Sequence, residues 1–179
     1  MLTSDQPAGS LRSAPVNTEH DPVIDGPLYR QVLGHFLTGV TVITAVSDGE
    51  PVGMAASSFT SLSMDPPLVL FCAGIASSSW PRIQRAGHYC VNVLGSTQEH
   101  ISRQFASNAD DKFQGVGWRT ERSGAPVLTD ALAWIDCRIE NEFDGGDHVI
   151  VVGRVLALGN QDSDGPLAYF RGGYGNFSR

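Results

Sequence analysis

The chain of 179 residues is poor in basic residues and in long apolar runs. Lys112 is its only lysine, and 12 lysines and arginines stand against 19 acidic residues, which gives a net charge of −7. Because binding to nucleic-acid phosphates needs a basic face, this balance argues against a nucleic-acid partner. No stretch approaches the ~18 apolar residues of a membrane span, so we expect no membrane partner either.

Cysteine is also scarce. Cys72, Cys90 and Cys137 lie in apolar, strand-like runs, and no two of them form a Cys-x-x-Cys pair. We therefore expect buried free thiols in a cytoplasmic protein, not a disulfide or a metal site. The first residues lack the basic segment followed by an apolar one that is typical of a secretory signal. The histidines have no mutual spacing that suggests a metal site.

The common nucleotide-binding loops are missing as well. The sequence contains no G-x-G-x-x-G or P-loop signal, and the "GGYG" near the end is too short and wrongly placed for either. A nucleotide, if one binds, is not bound in the Rossmann manner.

The length favours a single domain. Residues 1–26 are rich in proline, serine, aspartate and threonine, which predicts a disordered amino-terminal tail. The domain is expected to span residues 27–179. At the junction of tail and domain, Asp25-Gly26-Pro27 predicts the start of an amphipathic helix that ends near Gly39. Two further helices are predicted in "SSSWPRIQRAG" and "TQEHISRQFA", with Ser79 and Thr97 as their caps.

The remaining segments favour six or seven strands in antiparallel hairpins. Turns are predicted at Asp48-Gly49 and Gly145-Gly146. The run "PPLVLFCAG" is continuously apolar, so we expect both faces of its strand to be covered. This pattern predicts a mainly β fold, a small barrel with short helices packed outside.

One stretch, "GMAASSFTSLSMDPP", carries many hydroxyl side chains between two strand-like segments. It has no charge before Asp65. Small residues and neutral donors would suit a large, neutral, planar ligand. The alternative is that these hydroxyls only decorate exposed strand positions and a turn.

Six segments in order carry a resemblance to a known family: "LTGVTVITA", "PVGMAASSFTSLSMDPPLVLFC", "SSSW", "YCVNVL", "DKF" and "GGDHVIVVGRV". Together they resemble the flavin reductase family, the NAD(P)H:flavin oxidoreductases of two-component monooxygenases. The resemblance covers roughly residues 28–175. It implies an FMN-binding fold of the Greek-key split β-barrel type, a homodimer, and flavin in a groove near the dimer interface.

The resemblance also implies roles for individual residues. His148 would face the nicotinamide, with Arg171 and Tyr174 near it; the alternative for His148 is a structural role in the tight turn. The flavin phosphate would lie by Ser78 and Ser79, with Lys112 among the nearby cations. The full set of implied flavin-binding residues is Gly53, Met54, Ala55, Ser57, Ser58, Phe59, Cys72, Ala73, Gly74, Ser78, Ser79, Gln104, Phe105, Lys112, Arg171 and Tyr174.

The function implied is NAD(P)H-dependent reduction of free FMN or FAD. Reduced flavin would then diffuse to a separate monooxygenase. Hydride transfer between two cofactors needs no protein acid, base or nucleophile, so the lack of a catalytic triad or carboxylate pair is expected. No basic cluster is suited to a 2′-phosphate, which favours NADH over NADPH. Two alternatives remain open: a non-catalytic flavin-binding electron carrier, and another flavin-dependent oxidoreductase on the same fold, such as an amine oxidase or a ferric reductase.

Overall fold

The computed structural model describes residues 23–161 and 165–177. The predicted tail therefore falls mostly outside the described residues. No helix within the described ranges has the length and apolar character needed to cross a membrane. No cluster of histidine, cysteine or acidic side chains in the same ranges is suited to a metal ion.

The described chain is mainly β with short helices, as predicted, but it holds twelve strands instead of six or seven. The helices are α1 (Gly26–Leu33), α2 (Trp80–Ala86) and α3 (Glu99–Ala106). The strands are β1 (Thr38–Gly39), β2 (Thr41–Ser47), β3 (Glu50–Ala56), β4 (Thr60–Met64), β5 (Pro67–Gly74), β6 (His88–Val93), β7 (Trp118–Thr120), β8 (Pro126–Leu128), β9 (Ala133–Asp144), β10 (His148–Asn160), β11 (Leu167–Phe170) and β12 (Gly173–Asn176).

Seven strands form the main sheet, in the order β3-β2-β6-β9-β10-β5-β4. Its neighbours are antiparallel, and both predicted turns join hairpins, β2 to β3 and β9 to β10. Asp48 and Gly49 both have positive φ, as a tight hairpin turn requires. Within the described residues no pairing joins β3 to β4, so hydrogen bonds do not close this sheet into a barrel. Strands β1, β11 and β12 form a second sheet, and β7 and β8 pair separately.

The main core is formed by residues of the seven-stranded sheet and of α2. Phe71 packs edge-on against Trp80 of α2 and Tyr89 of β6, with ring centroids 6.0 and 5.2 Å apart. A second core cluster packs α3 against the three-stranded sheet and includes Phe105 and Leu167. These two cores fix α2 and α3 on either side of β3.

The first helix begins as predicted but ends earlier. The Asp25 side chain accepts a hydrogen bond from the Leu28 N–H and caps α1. The helix stops at Leu33 instead of continuing to Gly39. The main-chain carbonyl of Gly34 accepts a hydrogen bond from the Arg171 N–H, which ties the chain to the second sheet at this point. None of the helix's own residues is buried, so its apolar side has no partner within the described chain.

The prediction that both faces of the "PPLVLFCAG" strand are covered is wrong for the described chain. On β5, Val69, Phe71 and Ala73 are buried in the core. The alternate residues, including Leu70 and Cys72, are only half-buried. All three cysteines are free, as predicted, but Cys72 is not fully buried.

Candidate functional site

A long groove runs along β3, between the end of β5, the start of α2 and helix α3. Its largest part encloses about 550 Å³. This part is lined by Met54, Ala55, Gly74, Ala76, Ser77, Ser78, Phe105, Ala106, Ser107, Asn108 and Lys112. Two smaller concavities continue it at either end, because each shares lining residues with it.

One end of the groove is polar. It encloses about 230 Å³ and shares Ser78, Asn108 and Lys112 with the main part. Arg82 also lines it, and so do Asp110 and Asp111 in the loop that follows α3. An anionic group is the ligand that Lys112 and Arg82 would favour here, and the two aspartates offset their charge.

The other end is aromatic. It encloses about 220 Å³ and is lined in part by Ala55, Ser57, Tyr169 and Tyr174. The Tyr174 hydroxyl lies 2.8 Å from the Ser102 Oγ, and its ring is T-shaped against Tyr169 at 5.2 Å. Tyr174 is therefore fixed at the opposite end from Lys112.

Gly53 is required by the packing beneath the groove. A Cβ at this position would lie 2.5 and 2.8 Å from two carbons of the Phe105 ring, and 3.1 Å from the main-chain oxygen of Ile43. Phe105 in turn packs edge-on against Phe113 at 4.9 Å. The absent side chain thus lets α3 approach β3 and bring Phe105 to the groove.

The start of α2 is held by a residue that the sequence analysis missed. The predicted cap, Ser79, makes no capping hydrogen bond with its side chain. Instead, the Ser77 Oγ accepts hydrogen bonds from the N–H groups of Ser79 and Trp80, each at 3.3 Å. It also donates to the Met54 Sδ at 3.9 Å. Similarly, Gln98 and not Thr97 occupies the cap position of α3.

Lys112 joins the two helices at the polar end. Its Nζ donates to the Ser79 Oγ at 3.3 Å and to the main-chain oxygen of Phe105 at 3.1 Å. Burial lowers the pKa of Lys112 below its ordinary value, because desolvation disfavours the ammonium form. A half-buried ammonium group next to an open groove is suited to pair with an anion.

Gln104 fixes the loop that carries Lys112. The Gln104 Nε2 donates to the main-chain oxygens of Lys112 and Gln114, at 3.0 and 2.9 Å. Its amide donor thus binds the protein's own loop, and the contribution of Gln104 is to position the residues around the polar end.

His148 stands at the rim of the main part. It begins β10, pairs with Gly74 of β5, and places its Nε2 3.7 Å from the position a Cβ would take on Gly74. Its Nδ1 lies 2.7 Å from the Asp147 carboxylate. The hydrogen bond from His148 lowers the pKa of Asp147. This carboxylate orients the exposed ring and leaves Nε2 for a ligand.

Ser58 and Cys72 are joined outside the groove. The Ser58 Oγ accepts from the Cys72 N–H at 2.9 Å and donates to the Cys72 carbonyl at 3.2 Å. Phe59 packs beside the core, and Ala73 is fully buried in it, so only the main chain of Ala73 could reach a ligand.

The structure brings most of the predicted residues together, but not all. The groove is lined by Gly53, Met54, Ala55, Ser57, Gly74, Ser78, Ser79, Phe105, Lys112 and Tyr174. Arg171, in contrast, lies on the turn between β11 and β12 against Gly34. The resemblance implied that Arg171 and Tyr174 lie near His148, but the groove does not bring them together. Tyr174 lines its aromatic end, whereas His148 adjoins Gly74.

Polar and aromatic groove residues outside the predicted set include Ser77, Ser102, Ser107, Asn108 and Tyr169. Only Ser77 had a usable signal, because it begins the hydroxyl run before Pro81. The fold and the groove together define the class of protein, a mainly β domain with an elongated binding site. This site is neutral along its length, has cations at one end and has a histidine on its rim.

Comparison with known proteins gives the family. Residues 33–178 match the family model described as a flavin reductase like domain, so the chain belongs to the flavin reductase family. The resemblance seen in the sequence motifs is confirmed.

Relatives with high identity bear names of this family. The chain is 48% identical over 151 residues to the reductase subunit HsaB of a flavin-dependent monooxygenase from Rhodococcus jostii, covering 84% of this chain and 77% of that protein. It is 46% identical to a flavin reductase from Pseudomonas putida, covering 87% and 92%. It is 41% identical to the FMN reductase (NADH) SmoA from Agrobacterium fabrum, covering 84% and 86%.

Solved structures share the fold. Nitrilotriacetate monooxygenase component B from Mycobacterium thermoresistibile superposes with a TM-score of 0.83 at 45% identity, covering 85% of this chain and 86% of the other. The NADH:FAD oxidoreductase SgcE6 from Streptomyces globisporus, in complex with NAD and FAD fragments, gives 0.81 at 37% identity, covering 88% and 98%.

Proposed function

We propose that this chain uses NADH to reduce FMN or FAD and releases the reduced flavin to a separate flavin-dependent monooxygenase. One observation carries the proposal. In a chain that belongs to the flavin reductase family, four distant segments converge on a single groove: β3, the end of β5, the start of α2 and the loop after α3.

The groove residues fit a flavin. Gly74 has no side chain, and Ala55 and Ala76 carry only a methyl group. These three residues therefore leave room beside β3 for a flat ring. Main-chain N–H groups and serine hydroxyls are suitable donors for the carbonyl oxygens and ring nitrogens of a flavin. At the polar end, Lys112 and Arg82 are positioned to neutralise a phosphate.

When bound, the flavin supplies the electron-accepting ring and the nicotinamide supplies the hydride, so the protein's task is to align them. His148 serves this alignment in our proposal. Its Nε2 faces the Gly74 side of the groove, while Asp147 holds its other ring nitrogen. From there it can donate to or accept from a carboxamide at the rim.

The proposed flavin is a diffusible substrate. Its contacts would be mainly to main chain, hydroxyls and small side chains, and Asp110 and Asp111 offset the two cations at the polar end. Few ionic anchors favour release. Similar proteins are named as the reductase subunit of a flavin-dependent monooxygenase and as component B of nitrilotriacetate monooxygenase, which supports a separate monooxygenase as the acceptor.

The proposed cofactor pair is NADH with either FMN or FAD. One similar protein is named an FMN reductase (NADH) and another an NADH:FAD oxidoreductase. We further propose a cytoplasmic homodimer. The exposed apolar side of α1 and the half-buried outer face of β5 support it, because a second copy could cover both.

The test is to measure oxidation of NADH and NADPH with FMN, FAD and riboflavin in turn. We expect rapid NADH oxidation that depends on added flavin. Binding of flavin without steady NADH oxidation would show an electron carrier or a simple flavin-binding protein and would overturn the proposal.

A second experiment tests release. The protein, NADH and catalytic flavin are kept anaerobically on one side of a dialysis membrane that passes flavin but not protein, with cytochrome c on the other side. Cytochrome c reduction should increase with added flavin. Reduction only when cytochrome c can touch the protein would show that the flavin is a bound prosthetic group.

A further inference from the structure

Met54 places a thioether in the groove. Its side chain is half-buried and lines the largest part, beside Gly74 and Phe105. Methionine sulfur is converted to the sulfoxide by mild oxidants, which turns a flexible apolar side chain into a polar one. Met64, at the end of β4, is 94% exposed and lies outside the described groove. The two methionines therefore form a natural comparison.

Ser77 links the Met54 sulfur to the start of α2. Its hydroxyl donates to Sδ and accepts from the N–H groups of Ser79 and Trp80, so its hydrogen-bonding capacity is filled. Ser77 also lines the groove. A chemical change at the sulfur is thus transmitted directly to the segment Ser77–Ser79, beside the polar end.

We propose that Met54 is an oxidation site at which hydrogen peroxide weakens flavin binding. The source of the peroxide rests on the proposed function: dioxygen that takes two electrons and two protons from reduced flavin becomes hydrogen peroxide. The Met54 sulfur then attacks one peroxide oxygen. The O–O bond breaks, an S–O bond forms, and the second oxygen leaves as water. Sulfur loses two electrons and the peroxide gains them.

The sulfoxide changes the groove in two ways. Its oxygen occupies space beside Gly74, where the flat ring is expected, and it presents a polar group to that ring. It is also a stronger acceptor than the thioether and stands away from the sulfur, so the Ser77 hydroxyl must move to donate to it, and this movement disturbs its bonds to the N–H groups at the start of α2. The result is feedback: when reduced flavin is lost to oxygen instead of being delivered, its own reductase binds less flavin.

The first experiment separates oxidation from catalysis. The purified protein, without flavin or NADH, is treated with hydrogen peroxide and then with catalase. Peptide mass spectrometry locates each added oxygen, and flavin affinity is measured by quenching of flavin fluorescence. We expect an oxygen on Met54 and a rise in the flavin Kd of about tenfold, the effect of losing one or two contacts. Methionine sulfoxide reductases should restore the affinity.

Two variants identify the residue responsible. Each is compared with itself before and after peroxide, so its starting affinity does not matter. Met54→Leu should keep its own Kd after treatment, whereas Met64→Leu should lose affinity as the wild type does. The proposal is overturned if Met54 stays unmodified, if its oxidation leaves the Kd unchanged, or if Met54→Leu loses affinity to the same extent.

A second arm tests the source of the peroxide. The protein turns over NADH and flavin in air, with or without catalase, and Met54 is analysed by mass. Oxidation that catalase prevents supports internal feedback, and its absence during turnover rules out that feedback. If added peroxide modifies Met54 and lowers affinity but NADH is not consumed, the proposed function fails while the oxidation site stands.

Discussion

Gly53 shows at the scale of one residue how packing and function share a position. The family resemblance implies that Gly53 binds flavin, and the structure shows that the Phe105 ring takes the space of its missing side chain. Contact with flavin stays a prediction, whereas contact with Phe105 is a finding.

Replacing Gly53 by alanine should therefore be costly. Phe105 is fully buried against Phe113 and has little room to move, so overpacking should cost about 1–3 kcal/mol of stability. Flavin affinity should fall as well, because Phe105 lines the groove. Urea unfolding and flavin titration measure the two effects. Gly39→Ala is the control, since nothing lies within 4 Å of its Cβ position. Equal stability of the two variants would contradict this account.

The second residue-scale prediction concerns His148 and Asp147. His148→Ala should raise the KM for NADH and leave flavin affinity unchanged, because the ring adjoins the groove at its rim. His100→Ala, an exposed change on α3, should not alter either value. Native kinetics in His148→Ala would favour a purely structural role in the turn.

The same pair has a signature in pH. The hydrogen bond from His148 lowers the pKa of Asp147 from its ordinary 3.8. The contribution of this bond to stability is present above the unfolded-state pKa and is lost as the pH falls through the lower folded-state value. An NMR titration should show the Asp147 carboxyl protonating below its ordinary range, and His148→Ala should return it there. An unchanged midpoint in the variant would count against the bond.

At the scale of elements, helix α3 and the loop after it act together through Gln104. Gln104→Ala removes both hydrogen bonds from its amide to the loop, so residues 107–114 should exchange amide hydrogens faster. The flavin Kd should rise about tenfold, since the loop carries Lys112. Gln114→Ala is the matched control, because it keeps the main-chain oxygen that accepts one of these bonds. Similar amide exchange in both variants would show that the Gln104 side chain does not hold the loop in place.

Elements governed by local chemistry could be predicted from the sequence. The cap of α1 at Asp25, the stop of α2 at Gly87 and the turn at Asp48-Gly49 all depend on side chains or positive φ values within a few residues. Short strands such as β1 could not be predicted, because two residues carry no periodicity and pair only through distant contacts with β11. The predicted end of α1 was wrong for the same reason. The residue after the helix, Gly34, is bonded to the Arg171 N–H, which is distant in the sequence.

The residues of the site also divide into those with a local sequence signal and those placed by contacts distant in the sequence. Residues in recognisable motifs, such as Ser78 and Ser79, could be placed near the groove from the resemblance. Tyr169 and Ser102 could not, because they reach it through the packing of α3 on the second sheet. The actual hydrogen-bond partners of Gln104 depend on the path of the loop, which the sequence pattern does not describe.

At the scale of the whole molecule, the apolar side of α1 bears on assembly. On this helix Leu28, Tyr29, Val32 and Leu33 are each more than half exposed, and so is Phe36 just beyond its end. We expect light scattering at micromolar concentration to give twice the chain mass of 19.1 kDa. Val32→Glu with Phe36→Glu should shift the protein toward monomer, because charges would have to enter the interface. Leu158→Glu, an exposed change on β10, should not. A wild-type monomer that turns over would contradict this prediction.

The open main sheet also has a consequence for aggregation. A sheet that ends in free strands offers unpaired N–H and C=O groups to the strands of other molecules, which is a route to fibres. At one border, α3 packs against β3. At the other, β4 is only five residues long, its register shifts between Ser61 and Ser63, and prolines follow at Pro66 and Pro67. A short, irregular strand beside prolines is a poor template, so β4 protects the protein against edge-to-edge growth.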